Sequence, residues 1–155
     1  MTEHQTPIIK YHEALGAIAD ERVSLVPGGA EVTSSSGNKR YLVRYDEPSK
    51  RISSNDNGSY WRGYLGYPSI AFLLASRRVA FDSDVAKSLR GIPWKDLNSR
   101  LGNDYAQTIR AVEDHLRRNH VPSGQLNAEV KRIEEAISKM ELETVRSDTP
   151  PPDAY

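Results

Sequence analysis

Between Tyr60 and Leu74 the chain reads YWRGYLGYPSIAFLL, and the change of character inside that stretch limits what the whole can fold into. The first half sets Tyr60, Trp61, Tyr64 and Tyr67 around Arg62, spaced by Gly63 and Gly66. The second half, Ile70 to Leu74, belongs to the longest unbroken apolar run in the protein. Such a run is far too short to span a bilayer, so it predicts a buried element rather than a membrane segment. Apolar residues make up only 37% of the 155 and charged residues 27%. One core is therefore all this chain has the apolar residues to build, and the segment after Pro68 is its natural centre.

The flanks of that stretch carry two different periods. Toward the N-terminus, Thr6-Pro7 predicts a helix start, with Thr6 as cap and Pro7 in the first turn. Ile8, Tyr11, Leu15, Ile18 and Arg22 then share one helical stripe, and Pro27-Gly28-Gly29 ends the segment. His12 and Glu13 sit on this helix, where a lone histidine is more often structural than catalytic. From Ala30 the period becomes two: Ala30–Thr33 and Arg40–Tyr45 read as strands, and Lys50–Ser53 as a third. Asn57-Gly58 predicts a two-residue hairpin turn, because both positions tolerate positive φ, with Tyr60–Leu65 as the returning strand. Asn57-Gly58-Ser59 also matches a glycosylation sequon, a match the turn explains better.

After Pro68 the pattern is helical. A short buried helix covers 69–78, Asp82 caps one over Val85–Arg90, and Pro93 opens another over Trp94–Leu101. Asn103 caps a longer helix whose stripe is Tyr105, Ile109, Val112 and Leu116. The last helix places Leu126, Val130, Ile133, Ile137 and Met140 at spacings of four, three, four and three. The expected fold class is α+β, with residues 6–143 as a single domain. It comprises a small antiparallel β-meander of three or four strands over 30–67, short helices over 69–101, and a C-terminal antiparallel helical hairpin over 104–143. Residues 144–155, with their SDTPPPDAY ending, read as a flexible tail.

Searches for chemistry return mostly absences. The chain has no phosphate loop, dinucleotide fingerprint, nucleophile elbow or HExxH helix, and with no cysteine it has neither disulfides nor thiolate metal sites. Its four histidines lack metal-site spacing. The order of hairpin, Ser/Asn-rich segment and buried helix is similar to the ββα layout of SWIM zinc modules. The cysteines and histidine of that family are missing, however, and Ser53, Asn55, Tyr67 and Ser69 occupy the region instead. No catalytic residue, metal ligand or cofactor is therefore assigned. MTEHQTP lacks a basic region followed by an apolar one, so a cytoplasmic location without membrane attachment is the expectation.

Net charge is zero, yet residues 30–121 are modestly basic while both ends are acidic. Aromatics interleave with cations over the strands, a combination that stacks bases and holds phosphates. Two short helices over 82–101 also resemble a helix-turn-helix in outline. The leading expectation is a non-enzymatic binding or regulatory protein that takes nucleic acid through Arg40, Arg44, Arg62, Lys95 and Arg100. A second reading is a small metal-dependent hydrolase or nuclease built from Glu31, Asp46, Glu47 and Lys50. A third is a protein-interaction module or homodimer, in which Leu126, Val130, Ile133, Ile137 and Met140 form the partner interface.

Overall fold

A computed structural model describes residues 5–152. The elements in chain order are α1 (Ile9–Ala19), β1 (Val23–Val26), β2 (Gly29–Thr33), β3 (Arg40–Asp46), β4 (Arg51–Ser54), a π-helical turn (Gly58–Arg62), α2 (Tyr67–Ala75), α3 (Ser83–Lys87), α4 (Trp94–Arg100), α5 (Tyr105–Arg118), α6 (Ser123–Met140) and β5 (Glu143–Thr144). The architecture is mixed α+β. Its five strands lie in the order β1-β2-β3-β4-β5. The first four pair antiparallel with their chain neighbours, and β5 joins β4 in parallel.

α2 is the centre of the core. Ile70, Ala71, Leu73 and Leu74 are fully buried, and the helix touches both α1 and strands β1 to β4. From the sheet it receives Ala30, Val32, Val43 and Ile52, all buried. Each large side chain buried in this way contributes about 2 kcal/mol through lost apolar surface. Nearly all of α1 is buried as well, because α2, α3, α5 and α6 pack around it. The expected amphipathic stripe there is a poor description, since Ile8, one of its members, is 42% exposed.

Four expectations are corrected. Thr6 does not cap α1; its hydroxyl donates to the Leu65 carbonyl at 3.0 Å, and the helix begins two residues after Pro7. An extra strand, β1, precedes the expected meander, because Pro27-Gly28 forms a tight turn rather than a helix stop. Gly28 takes φ +76° there, which suits the third position of a type II turn behind proline. Tyr60–Leu65 is not a strand: Asn57 is right-handed helical (φ −58°, ψ −42°), and the chain enters the π-helical turn instead of a hairpin. Finally, α6 ends at Glu141, whose φ of +53° reverses the chain so that Glu143–Thr144 can join the sheet.

Beyond β5, Val145 N–H donates to the Ile52 carbonyl at 2.9 Å. The Arg146 guanidinium stands 4.2 Å over the Tyr60 ring and 5.3 Å over Trp61. Asn55 Nδ2 donates to the Pro150 carbonyl at 3.1 Å. The segment read as a tail is thus tied to the sheet and to the π-helical turn as far as Pro150, and 153–155 lie outside the described residues. No described helix is long and apolar enough to cross a membrane.

Candidate functional site

A cavity of about 750 Å³ opens between α1, β3, the π-helical turn, α4 and the start of α5. That is the size of a small-molecule pocket. Five cations reach its lining, Lys10, Arg22, Lys39, Arg62 and Lys95, against two carboxylates, Glu13 and Asp56. Tyr41, Tyr64, Tyr67, Trp94 and Tyr105 supply aromatic surface.

α1 places Lys10 and Glu13 three residues apart and so on one face. Lys10 Nζ lies 3.0 Å from Glu13 Oε1. Glu13 Oε2 accepts from Asn98 Nδ2 at 3.1 Å, and Asn98 Oδ1 accepts from Thr108 Oγ1 at 2.8 Å. This buried relay joins α1, α4 and α5. Burial pushes the Glu13 carboxyl above its ordinary range, while Lys10 and Asn98 pull the other way. Burial also works against the charge on Lys10, but Glu13, Tyr64 and Tyr105 outweigh it and its net shift is upward. Burial thus raises the Glu13 carboxyl, and the pairing of the two groups holds the proton on Lys10.

Arg22 follows the end of α1. Its Nη1 donates to the Thr33 carbonyl at 2.8 Å, and Nε stands 3.5 Å from Asp20 Oδ2. The side chain is only 11% exposed, yet Nε and Nη2 are buried without a hydrogen-bond partner. The Asp20 carboxylate neutralises charge here but is not aligned to accept from Nε. Trp94, 2% exposed, also has an indole Nε1–H with no acceptor. Tyr67 and Tyr41 meet edge to face at 6.1 Å. Burial raises the pKa of both phenols, and Arg22 opposes the rise at Tyr67. Lys39 is lowered by burial and then by Lys95, two like charges crowded at the rim.

Asp56 forms the remaining wall. Its Oδ2 accepts from Ser59 N–H at 3.1 Å, and Ser59 Oγ accepts from Gly66 N–H at 3.1 Å. A side chain at Gly66 would collide with the Asp56 carboxylate and Ser59, and one at Gly58 with the Tyr64 phenol. The Asn57-Gly58 pair is therefore there for close approach, which is why its hairpin reading fails. Asp56 is 7% exposed, and its Oδ1 is buried and unpartnered.

The expected nucleic-acid residues divide. Arg62 and Lys95 come together on the pocket lining. Arg40 and Arg44 are exposed on β3, alternating with the inward Tyr41, Val43 and Tyr45, and Arg100 is exposed on α4; none of these three lines the cavity. Of the partner-interface set, Leu126, Val130, Ile133 and Ile137 are buried in the core and Met140 packs against it half-buried. The carboxylates of the hydrolase reading do not converge. Asp46 accepts from Ser49 in the β3–β4 turn, Glu47 pairs with Arg78 at 3.3 Å, and Glu31 is exposed on β2. Among the described residues no group of three or more His, Asp or Glu is placed to hold a metal. Sequence reasoning missed Lys10, Arg22, Asp56 and Trp94 as site residues, and passed over Glu13. Only the spacing of Lys10 and Glu13 was a readable signal.

A smaller cavity of about 330 Å³ lies under Thr144–Arg146, beside β4 and the π-helical turn. The only unpartnered buried side-chain atom in its lining is Ser54 Oγ.

A protein-family model described as "Uncharacterised conserved protein UCP014422" matches residues 3–143. No curated protein and no solved structure matches the chain significantly.

Proposed function

We propose, for a chain that belongs to this family of uncharacterised conserved proteins and whose matched span takes in every residue lining the large cavity, that it is a binding or regulatory protein for a mononucleotide. In this reading the phosphate is held by Arg22 with help from Lys39, Arg62 and Lys95 at the rim. The base is enclosed by Tyr41, Tyr64, Tyr67 and Trp94. An antiparallel α5–α6 pair serves as the platform for α4 and Tyr105.

The observation that carries the reading is the Arg22 guanidinium, nearly buried in the cavity lining with Nε and Nη2 unsatisfied. Leaving a buried donor unpaired costs about 1–3 kcal/mol, and more when it is charged. An oxyanion arriving there regains that cost through a two-pronged, charge-assisted contact. The cation surplus of the lining favours an anion, and aromatic walls favour a ring. A cavity of this size suits one nucleotide better than a continuous strand, and Arg40, Arg44 and Arg100 lie outside its lining.

The test is calorimetric titration with nucleoside 5′-monophosphates, nucleosides and a short oligonucleotide, at low and high salt. Monophosphates are expected to bind and matching nucleosides to bind about tenfold more weakly, since the charged contact is lost. Arg22→Lys keeps the charge but removes the fork, and should also weaken the monophosphate about tenfold. Equal affinity of wild type and Arg22→Lys would remove the basis of the reading. Tighter binding of the oligonucleotide than of any monophosphate would replace the single nucleotide with a strand.

A further inference from the structure

Asp56, in the lining of the pocket, carries a buried carboxylate oxygen with no hydrogen-bond donor. Its carboxylate is held by one hydrogen bond and by the close approach of the Gly66 backbone. Oδ2 is tied to Ser59 N–H, Ser59 Oγ is tied to Gly66 N–H, and the Gly66 backbone approaches so closely that a Cβ would displace both. With that orientation fixed, Oδ1 is left buried and free. Glu13 Oε1 also lacks a formed hydrogen bond, but the Lys10 ammonium 3.0 Å away already claims it by charge. The pocket lining therefore holds unsatisfied donors at Arg22 and an unsatisfied acceptor at Asp56. An ionised carboxylate only accepts. A ligand group that also only accepts, such as a ring carbonyl, would set two lone pairs against each other there.

Resting on the mononucleotide reading above, we infer that Asp56 Oδ1 recognises the exocyclic amino group of the base, so that the ligand class is an amino-bearing nucleotide rather than an oxo-only one. The phosphate and the amino group are then read by different walls. Arg22 follows α1, whereas Asp56 leads into the π-helical turn. Tyr41 and Tyr67 line the same cavity and stack against each other edge to face, giving the ring its flank.

The experiment compares pairs of 5′-monophosphates that differ only by deletion of the amino group: GMP with IMP, AMP with purine riboside monophosphate, and CMP with its 2-pyrimidinone analogue. Each is titrated into wild type and Asp56→Asn. The asparagine keeps the shape and an oxygen for Ser59 N–H, but turns an N–H₂ toward the ligand. For the base the pocket accepts, wild type should favour the amino-bearing partner by about tenfold or more. Asp56→Asn should bring that ratio close to one. Monophosphate binding that depends on Arg22 but shows no amino preference in any pair overturns this inference and leaves the pocket reading standing. Absence of all nucleotide binding overturns both. If Asp56→Asn fails to fold, as a thermal melt would reveal, the paired ligands on wild type decide the matter alone.

Discussion

Gly16 faces the Trp94 indole across the contact between α1 and α4, so closely that a methyl group would run into Nε1 and the adjoining ring. Exchanging a helical glycine for alanine ordinarily adds up to about 1 kcal/mol of stability. Here the overlap dominates, and Gly16→Ala is expected to lower stability by about 1–3 kcal/mol, seen as a fall in urea midpoint. A higher midpoint would show that the indole yields freely and is not fixed on the pocket wall. His12, one turn earlier, is 2% exposed, with Nδ1 placed 3.1 Å from the Ile8 carbonyl and Nε2 unpartnered. Burial holds its pKa below the ordinary 6.5, and the Ile8 carbonyl only partly offsets this. The unfolded chain then takes up a proton at higher pH than the folded one. His12 thus adds stability above pH 6.5 that is lost as pH falls below it. Glu13 has the opposite slope, since its raised pKa favours the folded state at low pH. The comparison that isolates His12 is therefore the urea midpoint of wild type and His12→Gln from about pH 7 to about pH 5, where the variant should lose part of the decline. Parallel curves would assign the decline to other groups.

At the scale of elements, α2 is where sequence and structure agree most closely. Its apolar run has no polar side to turn outward, so burial on all sides is dictated by composition alone. Leu73→Ala should cost about 2–5 kcal/mol, because neighbours from both α1 and the sheet surround the vacated space. A loss below about 1 kcal/mol, as expected at a surface, would deny α2 its central place. The strands over 30–46 were legible for a similar reason: alternation fixes which face is inward. The π-helical turn was not. Asn-Gly is a hairpin signal when φ must be positive, but glycine also serves where another residue must come close, and only the placement of Tyr64 distinguishes the two. β5 was illegible because a two-residue strand has no period to detect. Its neighbour Arg146 makes a prediction of its own. Removing its guanidinium from the Tyr60 and Trp61 rings in Arg146→Ala should shift the tryptophan emission and cost about 0.5–1 kcal/mol. Emission identical to wild type would mean that the stacking contact is not held in solution.

Taken as a whole molecule, the fold separates charges that lie side by side in the sequence. Alternation along β3 sends Arg40 and Arg44 to one face of the sheet and Tyr41 to the other. The pocket then gathers Lys10 and Arg22 from the N-terminal region with Arg62 and Lys95 from the middle. No linear scan finds that set, because its members are brought together by the packing of α1, the π-helical turn and α4. The basic excess of the middle was readable, but its concentration in a cavity was not. This concentration predicts a salt-dependent association in which Lys39→Ala with Lys95→Ala slows nucleotide binding, measured by stopped-flow, while affecting dissociation less. An unchanged association rate would confine recognition to the buried groups. The central claim is that the unsatisfied Arg22 donors in the pocket lining meet a ligand oxyanion. The most direct measurement follows the Arg22 Nε–H and Trp94 indole N–H resonances by NMR during titration with a nucleoside monophosphate and with its nucleoside. The account predicts that Arg22 Nε–H moves and saturates with the monophosphate alone, and that the Trp94 resonance moves with it as the base packs against the indole. An Arg22 resonance that stays in place while the nucleotide binds elsewhere would contradict it.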